Sequence, residues 1–274
     1  MFCSRRQFLT ECAAAVSITL IPRQGHAEAA FTFAQLCDTQ LGMGGYEHDV
    51  QTFRQAVADL NTLKPDFVVI CGDLINETNS DQAFADFNEI KAGFEMPCYC
   101  AAGNHDISNA PTPALLARYR KLVGDDVFQF QHKGCTFLVV NTQLWKSPMP
   151  GETEKQDAWL REALKAAAER TSPVFIVGHY PPFIKDPMEA EEYFNLPVET
   201  RRQLLALFKA HNVVAVTTGH THRNEIARYD GIQFVSSATT SKNFDGAPFG
   251  FRLWHIKKPS PYEHEYVPLT KYSA

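Results

Sequence analysis

Short apolar runs rich in Val, Ile, Phe and Leu recur along this chain: "FTFAQLC", "DFVVIC", "PCYCAA", "CTFLVVN", "PVFIVG", "VVAVTT" and "IQFVSSA". Each is continuous more than alternating, the pattern of a strand covered on both faces. Between several of them lie segments of helical period. "VQTFRQAVADLNTL" sets Phe53, Val57, Leu60 and Leu63 near one face, "KQDAWLREALKAAAER" does the same with Trp159, Leu160 and Leu164, and "ETRRQLLALFKAH" supplies another. Strands alternating with helices predict an α/β fold, a layered α-β-β-α sandwich. With 274 residues, 45% of them apolar, the chain can bury a core of that size as one domain, assigned to residues 30–274. "AAGNHDISNAPTP" and "GHYPPFIKDPMEAEEYFNLP" read as long loops punctuated by Pro and Gly.

Residues 1–29 are set apart from that domain. Paired Arg5 and Arg6, then Phe8 and Leu9, then small and apolar residues from Ala13 to Ile21 resemble a twin-arginine export signal. Small residues in "GHAEAA" place cleavage after Ala27 or Ala29. An uncleaved anchor is the other reading, but the run is interrupted by Pro22 and falls short of the ~20 residues a span needs. A periplasmic or secreted protein that meets the twin-arginine translocase is therefore expected, without stable membrane association. The formal charge of −5 gives no basic surface for nucleic acid or anionic lipid. Cys37, Cys71, Cys98, Cys100 and Cys135 sit mostly inside apolar runs and read as small core side chains; the C-x-C spacing of Cys98 and Cys100 is not that of a zinc C-x-x-C pair.

Strand after strand ends in a metal-type residue: Asp38 after "FTFAQLC", Asp73 in "CGD", Asn104 and His105 in "GNHD", His179 in "GHY", His220 and His222 in "GHTH". In α/β sheets the crevice at the carboxyl ends of strands is where ligands bind, so these endings point to one shared site. A lone GD or GH is commonly a turn with a polar tip. The ordered set GD, GNHD, GH, GHTH, each following an apolar run, is a far stronger signal.

That ordered set resembles the calcineurin-like metallophosphoesterase superfamily, over Leu36 to His222. The resemblance implies a two-metal phosphoesterase, its metals at the C-terminal ends of the strands. Carried over by position, site one would use Asp38, Gln40, Asp73 and His222, and site two Asp73, Asn104, His179 and His220, with Asp73 bridging. His105 would be the catalytic histidine. Asp106 would either orient His105 or cap the loop. Two dications roughly 3.5 to 4 Å apart hold a phosphate and activate a bridging water, so in-line attack by a metal-bridging hydroxide is expected, with His105 protonating the leaving oxygen and no phosphoenzyme.

Two departures narrow the group. Gln40 stands where the superfamily usually has histidine; positions i and i+2 of a strand end face the same way, so it can reach the metal that Asp38 holds, or else merely line the pocket. Three oxygens and one nitrogen favour manganese, magnesium or iron over zinc at site one. Asn76 in "GDLIN" is neither the tyrosine ligand of purple acid phosphatases nor the aspartate of calcineurin-type protein phosphatases, and a neutral residue there biases His105 less toward its charged form. "CDTQLG", "CGDLIN", "GNHDISNAPT", "YFNLPVETRRQLL", "TGHTHRN" and "VSSA" together look like the calcineurin-like phosphoesterase domain-containing protein 1 group. That resemblance implies a phosphatase acting on phosphomonoesters, with a phosphoprotein or a phosphorylated small molecule as substrate. Arg223, Asn224, Asn76 and Tyr180 are the expected substrate contacts, Arg223 through a bidentate pair if it is not simply a surface charge. Tyr193, Phe194 and Asn195 would cap the pocket, and Trp145 is either cleft lining or ordinary core, its place past a strand's end favouring the cleft. His48, His132, His211, His255 and His264 lack a motif and read as structural. The rival readings are a phosphodiesterase acting on cyclic nucleotides or phospholipid headgroups, and a metal-binding protein in which Gln40 has disabled site one.

Overall fold

In a computed structural model describing residues 30–257 and 262–272, strand parity sets the layering. The first strand, β1 (Phe31–Leu36), turns Phe31 and Phe33 into one buried cluster and Ala34 and Leu36 into another. Both of its faces are covered, as a continuous apolar run requires. The other strands are β2 (Phe67–Ile70), β3 (Cys98–Cys100), β4 (Phe128–His132), β5 (Cys135–Val139), β6 (Val174–Val177), β7 (Val213–Thr218), β8 (Glu225–Tyr229), β9 (Ile232–Ser236), β10 (Gly250–Ile256) and β11 (Glu263–Pro268). The helices are α1 (Tyr46–Leu63), α2 (Asp81–Lys91), α3 (Asn104–Ile107), α4 (Pro113–Leu122), α5 (Gln143–Lys146), α6 (Glu152–Glu169) and α7 (Val198–Ala210).

Sheet one has the order β11-β10-β1-β2-β3 and sheet two the order β4-β5-β6-β7-β9-β8. The central pairings β1·β2, β2·β3, β5·β6, β6·β7 and β7·β9 are parallel, while β10, β11, β4 and β8 join antiparallel. Between the sheets Phe33 stacks on Phe67 at 5.2 Å and on Trp254 at 5.5 Å, and meets Phe137 and Phe175 edge-on. Outside sheet one, Phe53, Leu60, Phe84, Phe87 and Leu116 form a second cluster; outside sheet two, Leu160, Leu164, Leu204 and Phe208 form a third. This is the layered α-β-β-α arrangement expected from the sequence.

A polar residue joins the two sheets through this apolar interior. Gln35 is fully buried on β1; its amide nitrogen donates to the carbonyls of Thr218 (2.9 Å) and Val235 (3.0 Å) on sheet two, and its amide oxygen accepts from Trp254 Nε1 (2.9 Å) on sheet one. Each amide group is thus satisfied, which burial demands.

Several expectations change. Leu63 ends α1 at 48% exposure, so that helix buries Phe53, Val57 and Leu60 alone of the four. The "GNHD" stretch is not wholly loop: its ligand and catalytic candidates open the short helix α3. Trp145 lies in the core outside sheet two, its Nε1 donating to Asp157 (2.8 Å), and does not line the cleft. Cys37, Cys71 and Cys135 are buried between the sheets, and Cys100 packs outside sheet one. Among the described residues no helix is long and apolar enough to cross a membrane. The twin-arginine segment, residues 1–29, lies outside the described residues.

Candidate metal centre

Each predicted ligand lies just past the C-terminal end of a strand in a parallel pair. Sheet one delivers Asp38 and Gln40 after β1, Asp73 after β2 and Asn104 after β3; sheet two delivers His179 after β6, then His220 and His222 after β7. Oxygen donors therefore come from one sheet and imidazoles from the other. The turns that aim them are strained: Asp38, Gln40, Asp73, His220 and His222 have φ of 47°, 34°, 50°, 66° and 53°. Left-handed backbone costs a non-glycine residue of order 1–2 kcal/mol. Backbone bonds from Gln40 N to Asp73 O (2.9 Å) and from Asp38 N to Gly72 O (3.3 Å) hold the first two turns together.

Close approach explains two of the glycines in the motifs. A Cβ at position 103 would lie 2.2 Å from Asp73 Oδ1, and one at position 219 would lie 2.3 Å from Asp38 Oδ2. Only glycine lets the backbone run that close to the carboxylates.

The carboxylates are oriented by backbone N–H groups. His220 N–H donates to both oxygens of Asp38 (3.1 Å each), and His105 N–H to Asp73 Oδ1 (2.8 Å). The imidazoles are oriented by carbonyls: His179 Nδ1 by Cys71 (2.8 Å), His222 Nδ1 by Lys242, and His220 Nε2 by Tyr193 (3.3 Å). A carbonyl only accepts, so in the neutral rings those nitrogens carry the proton and His179 Nε2, His222 Nε2 and His220 Nδ1 are left as lone pairs. The lone pairs converge. His220 Nδ1 and Asn104 Oδ1 lie 3.1 and 3.0 Å from His179 Nε2, which is 3.2 Å from Asp73 Oδ2; His222 Nε2 is 3.4 Å from Asp38 Oδ1.

Acceptors this close together repel unless something positive lies among them. The ligand atoms of Asp73, His179 and His220 lie within 4.8 Å of one another, as do those of Asp38, Asp73 and His222, and Asp73 belongs to both groups. Gln40 adds independent support: it is 1% exposed, its Nε2 donates to Asn76 Oδ1 (3.3 Å), and its Oε1 has no hydrogen-bond partner among the described residues. A buried amide oxygen without a donor is costly, and a cation satisfies it. Without an ion, a proton on His179 supplies part of that positive charge. Burial works against a charged His179, but the Asp73 and Asp38 carboxylates outweigh it and push the imidazole up to about 10. Burial likewise works to raise Asp73, yet the His179 charge holds its carboxyl well below the usual range. Burial and the neighbouring His179 charge together keep His220 neutral. The residues present fit two cations sharing Asp73.

Around this centre the other predicted residues divide. His105 is half-buried; its Nδ1 donates to the Asn76 carbonyl (2.8 Å), and its Nε2 has no partner among the described residues. Asp106 does not orient that ring. Its carboxylate accepts from the backbone N–H groups of Gly103 (2.8 Å), Leu74 (2.9 Å) and Ile75 (3.3 Å), so it is the loop-capping residue. Asn76 acts on His105 through its carbonyl, while its side chain is bonded to Gln40 and to Glu77. Tyr180 is 1% exposed and packs 3.9 Å from the His220 ring, which removes it as a substrate contact. The Asn224 side-chain oxygen accepts from Arg252 Nη2 (2.6 Å) and Ala238 N–H and so braces the loop after β9. Arg223 is half-buried over the Phe194 ring at 5.9 Å, beside a cavity of about 300 Å³ that Lys185, Phe194 and Thr221 also line. Asn195 is buried and tied to Glu189, while the rings of Tyr193 and Phe194 pack 5.0 and 5.4 Å from that of His220.

Three participants carry no motif. Thr142 Oγ1 accepts the N–H groups of His179 and Tyr180, the Lys242 carbonyl orients His222, and Phe244 stacks on His222 at 4.7 Å. Backbone carbonyls and single hydroxyls leave no residue-type signal; the polar stretch "SSATTSKNF" is the one hint of a loop over the site.

Comparison with known proteins agrees with this geometry. A solved dimetal phosphatase from Danio rerio superposes with a TM-score of 0.66 at 18% identity, covering 87% of this chain and 97% of that one. In sequence, the serine/threonine-protein phosphatase CPPED1 of Danio rerio is 34% identical over 247 residues, covering 81% of this chain and 80% of the relative. The Homo sapiens protein of the same name is 33% identical, covering 86% and 78%. Residues 31–224, from the first strand to just beyond the last candidate ligand, match the family model described as calcineurin-like phosphoesterase, and the chain belongs to that family.

Proposed function

We propose that this phosphoesterase is a two-metal phosphatase of phosphomonoesters whose natural substrates include phosphoserine or phosphothreonine protein. The observation that carries the reading is the pair of ligand groups sharing Asp73, to which the His105 backbone N–H is bonded. The names of the sequence relatives support the substrate class.

Asp38, Gln40, Asp73 and His222 would hold one ion, and Asp73, Asn104, His179 and His220 the other. When bound, such a pair supplies Lewis-acid charge to the phosphoryl oxygens and activates the attacking water. Three oxygen donors and one imidazole make the first position the harder one, suited to manganese, magnesium or iron; two imidazoles at the second also suit zinc. In its imidazolium form His105 carries protons on both ring nitrogens: Nδ1–H stays on the Asn76 carbonyl, which pre-sets the ring, and Nε2–H goes to the leaving oxygen, leaving the neutral ring. Arg223, with Phe194 beneath it, holds a further anionic oxygen of the substrate. The twin-arginine pattern of residues 5–9 supports export of the folded enzyme to the periplasm.

The test is metal content of the purified protein together with hydrolysis of p-nitrophenyl phosphate and its bis-ester, with and without manganese. Two metals and preference for the mono-ester are expected. Faster turnover of the bis-ester would replace the reading with a phosphodiesterase, and one metal without turnover would replace it with a metal-binding protein. In the same assay His105→Ala is expected to lower kcat about 10²- to 10⁴-fold with both metals retained, the range for loss of a general acid. Loss of metal from that variant would show His105 to be structural. Gln40→His is expected to slow loss of the first ion to a chelator by about tenfold or more; unchanged retention would remove Gln40 from the ligand set.

A further inference from the structure

The segment "YFNLPVETRR" contains a buried cation that no step above uses. Arg201, on α7, has 0% exposure and, among the described residues, no carboxylate within hydrogen-bond distance. Its Nη1 donates to the carbonyls of Pro187 (3.1 Å) and Glu189 (2.7 Å), its Nη2 donates to that of Leu196 (2.9 Å), and its Nε finds no acceptor. Burial works against a charged guanidinium, and the nearby carboxylates of Glu189, Glu191 and Asp186 offset that only in part. A side chain of that kind is a poor source of stability. What it does is fix both ends of one loop.

Two further side chains secure the same loop. The Glu189 carboxylate accepts from the N–H groups of Ile184 (2.7 Å), Lys185 (3.0 Å) and Asp186 (3.1 Å) and from Asn195 Nδ2 (2.8 Å). Lys146, on α5, donates to the carbonyls of Glu192 (2.6 Å) and Asn195 (2.9 Å). Between these fixed points stand Tyr193 and Phe194. The Tyr193 carbonyl meets His220 Nε2 at 3.3 Å, its hydroxyl meets Asn104 Nδ2 at 3.4 Å, and the two rings lie 5.0 and 5.4 Å from the His220 ring. Every one of these contacts falls on the second position; among the described residues none from Tyr193 or Phe194 reaches Asp38, Gln40 or His222.

We propose that Arg201 is a positioning residue for the second metal, acting through the loop to hold the Tyr193 carbonyl on His220. That carbonyl keeps the proton on Nε2 and presents Nδ1 to Asp73 and His179, while the Tyr193 hydroxyl turns the Asn104 amide so that Oδ1 faces inward. Loss of the clamp frees His220 to take its other tautomer, which offers the ion a proton instead of a lone pair. The proposal rests on the assignment of His220 and Asn104 as ligands of the second ion.

The test titrates manganese into metal-free full-length protein calorimetrically, for the wild type, Arg201→Met, Arg201→Lys and Lys146→Met, with the histidine tautomers of the metal-free proteins read by ¹⁵N NMR. Arg201→Met is expected to weaken one site 10- to 100-fold, the range for loss of a group that orients a ligand, with the other site unchanged and the His220 tautomers mixed. Arg201→Lys, unable to span three carbonyls, falls between. A folded Arg201→Met with both affinities unchanged, or with both weakened equally, would overturn the role. If Arg201→Met does not fold, Lys146→Met decides by the same reading: selective weakening upholds the clamp and unchanged affinity overturns it. A His220→Ala control separates the premise, since retention of two ions there would refute the ligand assignment and not the clamp.

Discussion

Asp73→Asn is expected to bind neither ion tightly and to lose turnover by about 10³-fold or more, the consequence of removing several kcal/mol of charge stabilisation. Asp73 is the residue common to both groups of ligand atoms. Its charge is also what outweighs burial at His179. An amide of the same shape keeps the oxygen that accepts from His105 N–H, and asparagine tolerates the left-handed backbone at φ 50°, so the fold should survive. The separation of effects makes the experiment clean: circular dichroism should match the wild type while metal content falls. Retention of one full equivalent of metal would show that the two positions do not share this carboxylate.

The second large effect is on stability and falls away from the metals. Gln35→Leu keeps roughly the side-chain volume but leaves Trp254 Nε1 without its acceptor and the carbonyls of Thr218 and Val235 without their Gln35 donor. Buried polar groups left unpaired cost about 1–3 kcal/mol each. Thr218 retains a bond from Cys37 Sγ (3.2 Å), which moderates the sum. A loss of about 3–5 kcal/mol is expected, read by urea denaturation of metal-free protein so that ion binding does not mask it. A loss under about 1 kcal/mol would show that the bridge between the sheets is dispensable.

The parallel strands and the convergence of donor residues at their ends were legible because each obeys one demand. A strand covered on both faces must be apolar throughout, and a ligand at its end must be an oxygen or imidazole donor. β4, β8, β10 and β11 went unread because "FQFQH" and "EHEYVP" alternate with exposed polar residues at sheet edges, "EIARY" exposes Ile226 and half-buries Glu225 on another edge, and "GFRLWHI" interrupts its apolar run with Arg252 and His255. Tyr180 and Asn224 adjoin motif residues in sequence, yet one is buried against His220 and the other is bonded to Arg252. Adjacency to a ligand shows which residues are near, whereas the direction of a side chain depends on the turn that follows. Asp106 illustrates the limit: its neighbour is His105, but the groups that reach its carboxylate are backbone N–H groups.

The division of donors between the sheets has a consequence for how the protein comes to hold its ions. Aspartates, glutamine and asparagine stand on one sheet and histidines on the other, so neither layer alone offers a complete coordination set. Sheet one is itself finished late, because β10 lies against β1 although Phe31 and Ile256 are paired from opposite ends of the described chain. The last ligand candidate, His222, precedes β10 in the chain, so a nascent chain has every donor before sheet one is complete. Capture waits for the sandwich to close, and bound ions then lock that closure like a key turned after the door has shut.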